Sequence, residues 1–444
     1  MVDASATRSG MSEQSSGSAT AEPATAWFTE ARFGLFVHFG LYSLAGRHEW
    51  VMTHERTSVE DYERYAEVFD PDLFDARRIA RAAKDAGMKY VVLTTKHHEG
   101  FALWHSEVSD YNAWTACGRD LVAEFVEAVR GEGLRVGFYH SLIDWHHPDF
   151  TIDYHHPRRD DADARVANES KDMNNYRAHL HAQVTELLTR YGTIDYLFYD
   201  FTYAEERDGW QGKYPEDWNA DELLALTRRL QPGIIVNDRL GIGADLVTPE
   251  QYQPDAPMQV DGERVVWEAC QTLNGSWGYD RDNFDYKTPD LLVRMLVDTV
   301  AKDGNLLLNI GPDGRGAISG RDVETLAAIG RWMRLHARAV HGAGPADVEA
   351  PPGTVVTRRG DRLYLHLLAW PFGHVHLKDM AGKVRYAQLL NDGSEIQRTQ
   401  IDPTQAAWNT TPGGQPPGTL TLTLPTVRPD VEVPVVEVFL EPGA

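Results

Sequence analysis

Asp200 closes the apolar run IDYLFYD, and a carboxylate that ends a buried segment must be compensated, because an unpaired charge is strongly disfavoured away from water. Two readings follow. It caps a helix or joins a salt bridge, or it serves as nucleophile or base in a cleft; the residue alone does not choose between them. Acid/base hydrolysis asks for a second carboxyl, and the stretch after GIIVND supplies Asp245, Glu250, Asp255 and Glu268. Enzymes that cleave glycosides with retention hold two carboxyls about 5 Å apart, one to attack and one to protonate, whereas inverting ones leave a wider gap for water. Chain position does not measure that gap, and Glu250, in DLVTPEQ, reads equally well as an exposed loop acid.

Histidines gather beside these acids: His38, the pair His97-His98, His140, and His146-His147 in DWHHP. Imidazole and carboxylate are metal ligands. Adjacent histidines on a strand point to opposite faces, however, so hydrogen bonding to a substrate ranks ahead of a metal site. The chain carries 12 tryptophans and 18 tyrosines, and several adjoin the polar clusters, as in Glu49-Trp50, Trp104-His105, Asp144-Trp145, Trp267-Glu268 and Trp277-Gly278-Tyr279. Any one ring is as well explained by core packing. Together they match what a sugar asks for, an apolar face beside directional hydrogen bonds.

Positioning these groups requires a scaffold that brings strand ends together. Near-continuous apolar runs at 33–39, 90–97, 134–140, 194–200, 233–238 and 305–310 alternate with amphipathic stretches such as 72–87, 120–133 and 321–340, the rhythm of βα units around a parallel sheet covered on both faces. A doubly wound sheet has the same local signals. His38, His97, His98, His140, Asp200 and the Asn237-Asp238-Arg239 run all fall at or just past strand ends, which converge on one mouth in a (β/α)8-like barrel, allowing for irregularity. Pro, Gly, Thr and Val dominate after the last helix, with short alternating segments that predict an antiparallel β-sandwich. The expected organisation is a disordered tail over 1–25, a barrel over 26–341 and a sandwich over 342–444.

Composition excludes several function classes. With 444 residues and 25% charged, the chain has a formal net charge of −23, which disfavours nucleic acid. No run approaches the roughly 20 apolar residues that cross a bilayer, so no membrane partner is expected. Two cysteines make no disulfide framework, and the Ser/Ala-rich start has no apolar signal-peptide core; a cytoplasmic location is the expectation.

On WFTEARFGLFVHFGLYSL, TTKHHEGFALWHSEVSDYNAW, EGLRVGFYHSLIDWHHPDF, YLFYD, NDR, WEACQTLNGSWGY and DTVAKDGNLLLNIGPDGRGAI, the chain resembles the α-L-fucosidases of glycoside hydrolase family 29 across about residues 27–317. The resemblance implies a retaining exo-acting hydrolase on a barrel followed by a β-sandwich, with no metal and no cofactor. Its partner would be a fucosylated glycan, and an oligomer is compatible with it. It also implies Asp200 as the nucleophile, with His38, Glu49, Trp50, His97, His98, His140, Arg239 and Trp277 binding the sugar. Tyr139 competes with His140, since strand alternation lets one of them face the mouth; His140 is preferred for its phase with Val136 and Phe138. Glu250, 11 residues beyond Arg239, is the expected acid/base and Glu268 the second choice. Phe201 and Phe39 stand where the family commonly has Gly and Trp, which bears on leaving-group preference. The competing classes are a non-catalytic carbohydrate-binding protein on the same barrel and, third, a metal-dependent hydrolase.

Overall fold

The computed structural model describes residues 24–408 and 412–443. All but the end of the expected tail over 1–25 therefore lies outside the described residues. Seven parallel strands form the central sheet: β1 (Phe33–Val37), β2 (Tyr90–Lys96), β3 (Arg135–Ser141), β4 (Tyr196–Asp200), β5 (Ile235–Val236), β6 (Glu268–Thr272) and β7 (Asn305–Ile310). Their order is β5-β4-β3-β2-β1-β7-β6. The expected barrel is thus present as a curled sheet of seven strands, not a regular ring of eight. Between its two edges runs the extended segment 246–250, bridged in parallel to Asn237 through Leu246, to Trp267 through Val247, and to Cys270 of β6 through Glu250. Pro249 has no N–H to donate, and its carbonyl accepts from Cys270 N at 3.1 Å.

Alternation divides each strand between two cores. Leu35, Val37, Val91, Leu93, Val136, Phe138 and Leu197 join the layer under the helices, while Phe36, Tyr90, Val92, Tyr139, Tyr196, Phe198, Cys270 and Leu307 fill the barrel. The helices outside begin on side chains that accept from free first-turn N–H groups: Asp75 for Ala76–Asp85, Asp120 for Leu121–Gly131, Asp172 for Met173–Arg190 and Ser319 for Gly320–His336. At the N-terminal end of the strands the helix Ala26–Ala31 closes the barrel, setting Phe28 against Tyr90 and Tyr196 with ring centroids 5.4 and 5.8 Å away.

Beyond the last barrel helix lie a five-stranded and a three-stranded antiparallel sheet, joined by an apolar core of their own around Leu365, Leu377, Leu422 and Val438. The two parts are also pinned directly, because the indole of Trp332, on the last barrel helix, donates to Val433 O at 2.8 Å. No helix among the described residues is long and apolar enough to cross a membrane.

The base of the barrel is closely filled. A Cβ placed on Gly34 would meet the Tyr90 ring at 2.4 Å, and that ring is fixed between Trp27 and Phe28 with its hydroxyl on Glu268. Gly34→Ala should therefore destabilise the protein by about 1–3 kcal/mol through overpacking. A thermal unfolding midpoint equal to that of the parent protein would show that the ring has room to move.

Candidate active site

At the C-terminal ends of the strands a cavity of about 290 Å³ is walled by His38, Trp50, His97, His98, Tyr139, Asp200, Phe201, Arg239, Glu250 and Trp277, over a floor of Phe36, Phe198 and Cys270. Asp200, only 8% exposed, is placed by the inward phase of β4. Tyr139 Oη donates to its Oδ2 at 2.8 Å, and Arg239 Nη1 donates to its Oδ1 at 3.1 Å. The same guanidinium reaches Glu250, Nη2 to Oε2 at 3.1 Å, and Trp277 Nε1 donates to the other Glu250 oxygen at 3.1 Å. Arg239 is itself aimed by the irregular stave, since its Nε donates to Thr248 Oγ1 at 3.0 Å and Nη2 to Thr248 O at 2.9 Å. Two carboxylates thus face one cavity with a single cation between them.

Burial pushes Asp200 up to about 6; the Arg239 charge pulls it back, the charge on Glu250 pushes it further up, and the Tyr139 hydroxyl stabilises the ionised form. The two carboxylates differ in access to water, because the Glu250 side chain is 40% exposed against 11% for Asp200. One is a sheltered anion suited to attack on an electron-poor carbon. The other is open to solvent.

The imidazoles are neutral acceptors. Burial lowers His38 to about 3 and holds His97 and His98 well below the usual histidine range. Asn309 Nδ2 donates to Trp277 O at 2.7 Å, which turns its Oδ1 to His38 Nδ1, 2.6 Å away. That nitrogen must carry the proton, leaving Nε2 of His38 as the acceptor. Ser141 Oγ donates to Ile143 O and so accepts from His98 Nδ1 at 2.7 Å, which assigns the same tautomer to His98.

Three expectations need correction. His140 is fully buried behind the wall, its Nδ1 3.0 Å from Thr95 Oγ1 and its ring beside Trp104. The β3–β4 register pairs Tyr139 with Phe198 and Ser141 with Asp200, so the phase of Val136 and Phe138 faces the helices and Tyr139 takes the mouth. Parallel strands are apolar on both faces, and apolar phase therefore does not reveal the inner one. Glu49 does not line the cavity; it is 1% exposed, burial pushes it up to about 8, and its Oε2 accepts from Gly278 N at 2.8 Å, holding the loop that carries Trp277. Glu268, the alternative acid/base, lies in the bottom layer, bonded to the hydroxyls of Tyr90 and Tyr196. Residues not anticipated are Thr248 and Asn309, which act by aiming Arg239 and His38. Among the described residues no group of three His, Cys, Asp or Glu side chains is arranged to hold a metal ion.

Comparison with known proteins places this geometry in context. A model of the family "Alpha-L-fucosidase" matches residues 1–338. Tissue α-L-fucosidase of Rattus norvegicus is 32% identical over 433 residues, 89% of this chain and 87% of that one; an α-L-fucosidase of Dictyostelium discoideum is 30% identical over 74% of this chain and 73% of its own. Among solved structures, α-L-fucosidase isoenzyme 1 from Paenibacillus thiaminolyticus aligns with a TM-score of 0.87 and 42% identity, covering 95% of this chain and 99% of that one. A family 29 α-L-fucosidase from Bacteroides thetaiotaomicron, solved as a trapped covalent intermediate with 2-fluoro-fucosyl fluoride, aligns with a TM-score of 0.80 and 26% identity, covering 95% of this chain and 97% of that one.

The bond from Tyr139 stabilises the ionised form of Asp200, so Tyr139→Phe should raise the Asp200 pKa above about 6. A carbon-13 carboxyl NMR titration reads the change. A midpoint that stays put or falls would show that the phenol contributes nothing to holding the charge.

Proposed function

The chain belongs to the α-L-fucosidase family, glycoside hydrolase family 29, and is a glycoside hydrolase; from that premise we propose that it is a retaining, exo-acting α-L-fucosidase working through a covalent glycosyl-enzyme intermediate. The observation that carries the reading is the shared guanidinium. Arg239 touches Asp200 and Glu250 from adjacent nitrogens at 3.1 Å each, so both carboxyls face one cavity on a shared cation, which supports reading them as a nucleophile and acid/base pair. The trapped covalent intermediate solved for the Bacteroides enzyme supports the same chemistry.

An Asp200 oxygen attacks the anomeric carbon of a terminal fucosyl unit as the bond to the leaving oxygen breaks, and Glu250 gives that oxygen its proton. Glu250, now ionised, takes a proton from water, whose oxygen attacks the same carbon and releases Asp200. The low-pKa imidazoles of His38, His97 and His98 accept from ring hydroxyls without adding positive charge beside the oxocarbenium-like carbon. Arg239 holds Asp200 ionised and ready. The small cavity, about 290 Å³, suits one terminal sugar. The partner is accordingly a fucosylated glycan.

Asp200→Gly should abolish hydrolysis of an aryl α-L-fucoside, and azide should restore turnover with a fucosyl azide of inverted anomeric configuration as product. Hydrolysis near the parental rate without azide would end the nucleophile assignment. Because Asp200 must be ionised to attack, kcat/KM should fall as pH drops through about 6.

Glu250→Ala should lower kcat/KM for natural fucosides by about 10²–10⁴-fold while sparing kcat/KM for an activated aryl fucoside, whose leaving group departs without a proton. An equal loss on both substrates would return Glu250 to a binding role.

A further inference from the structure

Beside the catalytic cavity lies a second depression of about 470 Å³, and the two have Trp50 and Phe201 in common. Phe201 is held at φ 87°, a backbone conformation disfavoured for a non-glycine residue and kept where the surroundings enforce it. Here they do. Its ring packs on Trp50, His155 and Tyr203 with centroids 5.1, 5.2 and 5.1 Å away, and the strained turn aims it at the boundary between the two cavities. An exo-acting enzyme holds only the terminal sugar in its inner cavity, so whatever extends past Trp50 and Phe201 belongs to the leaving group.

The charge of that groove runs against the net charge of the chain. On a protein of net charge −23, Arg56, Arg159 and Arg207 line it against one lining carboxylate, Asp208. Asp208 lies 3.8 Å from Arg207 with 83% of its side chain exposed, and Asp160, which meets Arg56 at 2.5 Å, is 67% exposed, so water screens both at the rim. Exposed Glu205 faces Tyr154 from outside. Arg159 is bonded to Thr53 Oγ1 and His156 O and has no carboxylate partner among the described residues. Burial lowers His155 to about 4, leaving it uncharged at neutral pH. The lining is therefore rich in N–H donors and carries surplus positive charge next to flat aromatic rings.

We propose that this groove is the leaving-group site, that Trp50 and Phe201 form its stacking face, and that it takes a pyranose bearing an acidic substituent, a sulfate ester or a carboxylate, turned toward Arg159 and Arg207. The proposal rests on the fucosidase reading above. It specifies which fucosylated glycans the site selects.

Three α-L-fucosides that differ only in the leaving sugar test it: neutral N-acetylglucosamine, its 6-O-sulfate, and a uronic acid, each compared with a small aryl fucoside. At low ionic strength an acidic leaving sugar should raise kcat/KM about fivefold or more over the neutral one, and about 0.5 M salt should shrink that advantage. A gain with sulfate alone identifies a sulfated glycan, and a gain with the uronic acid alone a carboxylated one. Normalised to each variant's own rate on the aryl fucoside, the advantage should fall toward one in Arg159→Gln and in Arg207→Gln. Arg207 lies on an exposed loop, so its variant keeps the test open should Arg159→Gln fail to fold. Equal rates on all three sugars, or an advantage untouched in both variants, would overturn the proposal. Failure to hydrolyse even the aryl fucoside would instead overturn the fucosidase reading itself.

Discussion

Arg239 lies between two carboxylates, and much of the mouth is arranged around that contact. Asp200 ends a strand whose neighbours are apolar on both faces, a position where an unpaired anion would be protonated or destabilising. A guanidinium bonded to Asp200 and Glu250 at once offsets the burial that pushes Asp200 up to about 6 and ties the two acids to one cation. The arrangement depends on Arg239 being aimed, and Thr248 aims it through both its hydroxyl and its carbonyl. Asp238 completes the scaffold by accepting from Thr248 N and Oγ1.

Thr248 and Glu250 are both carried by the segment that closes the barrel where a regular eighth strand is missing. With only isolated bridges to Asn237, Trp267 and Cys270, that segment is free of a full ladder's geometry and can present alternate side chains inward, Leu246 to the core, Thr248 to the arginine and Glu250 to the cavity. Departure from regular strand pairing recurs at functional rims for this reason. The acid/base candidate sits on the least regular stave and the nucleophile on one of the most regular. That division matches their tasks, since the nucleophile needs fixed aim while the acid must reach both substrate and water.

Behind the cavity wall, burial and pairing assign each ionisable group a state. His38 and His98 receive their tautomers from Asn309 and Ser141, and burial keeps them neutral. Glu49 and Glu268, each pushed up to about 8, are structural acids, one holding the Trp277 loop and the other tying Tyr90 to Tyr196 across the base of the barrel. The cavity therefore combines one anchored cation, two carboxyl groups and neutral acceptors. A sugar with directional hydroxyls can be bound there without placing extra charge beside its reacting carbon.

Much of this was legible in the residues themselves. Apolar runs and their spacing marked most of the parallel strands, amphipathic stretches marked several of the helices, and polar residues clustered at strand ends pointed to a mouth containing Asp200, Arg239, His38, His97 and His98. The strand Glu268–Thr272, EACQT, escaped because two of its inner positions are polar or small, which hides a buried strand from a pattern of hydrophobicity. Whether Tyr139 or His140 faces the sugar depended on register, because a parallel strand covered on both faces carries no hydrophobic sign of which face is inside. The family resemblance drew Glu49 toward the sugar and left Glu268 as second choice for the acid/base, and only their depth shows them to be supports. Which groups are available, and that they collect at strand ends, is written in the local pattern of residues, since periodicity is a local property of the chain. Tertiary structure decided which carboxylates share Arg239, which imidazole nitrogens stay free and which rings border the neighbouring groove, because distance, burial and hydrogen-bond partners arise only when segments remote in the chain are packed together.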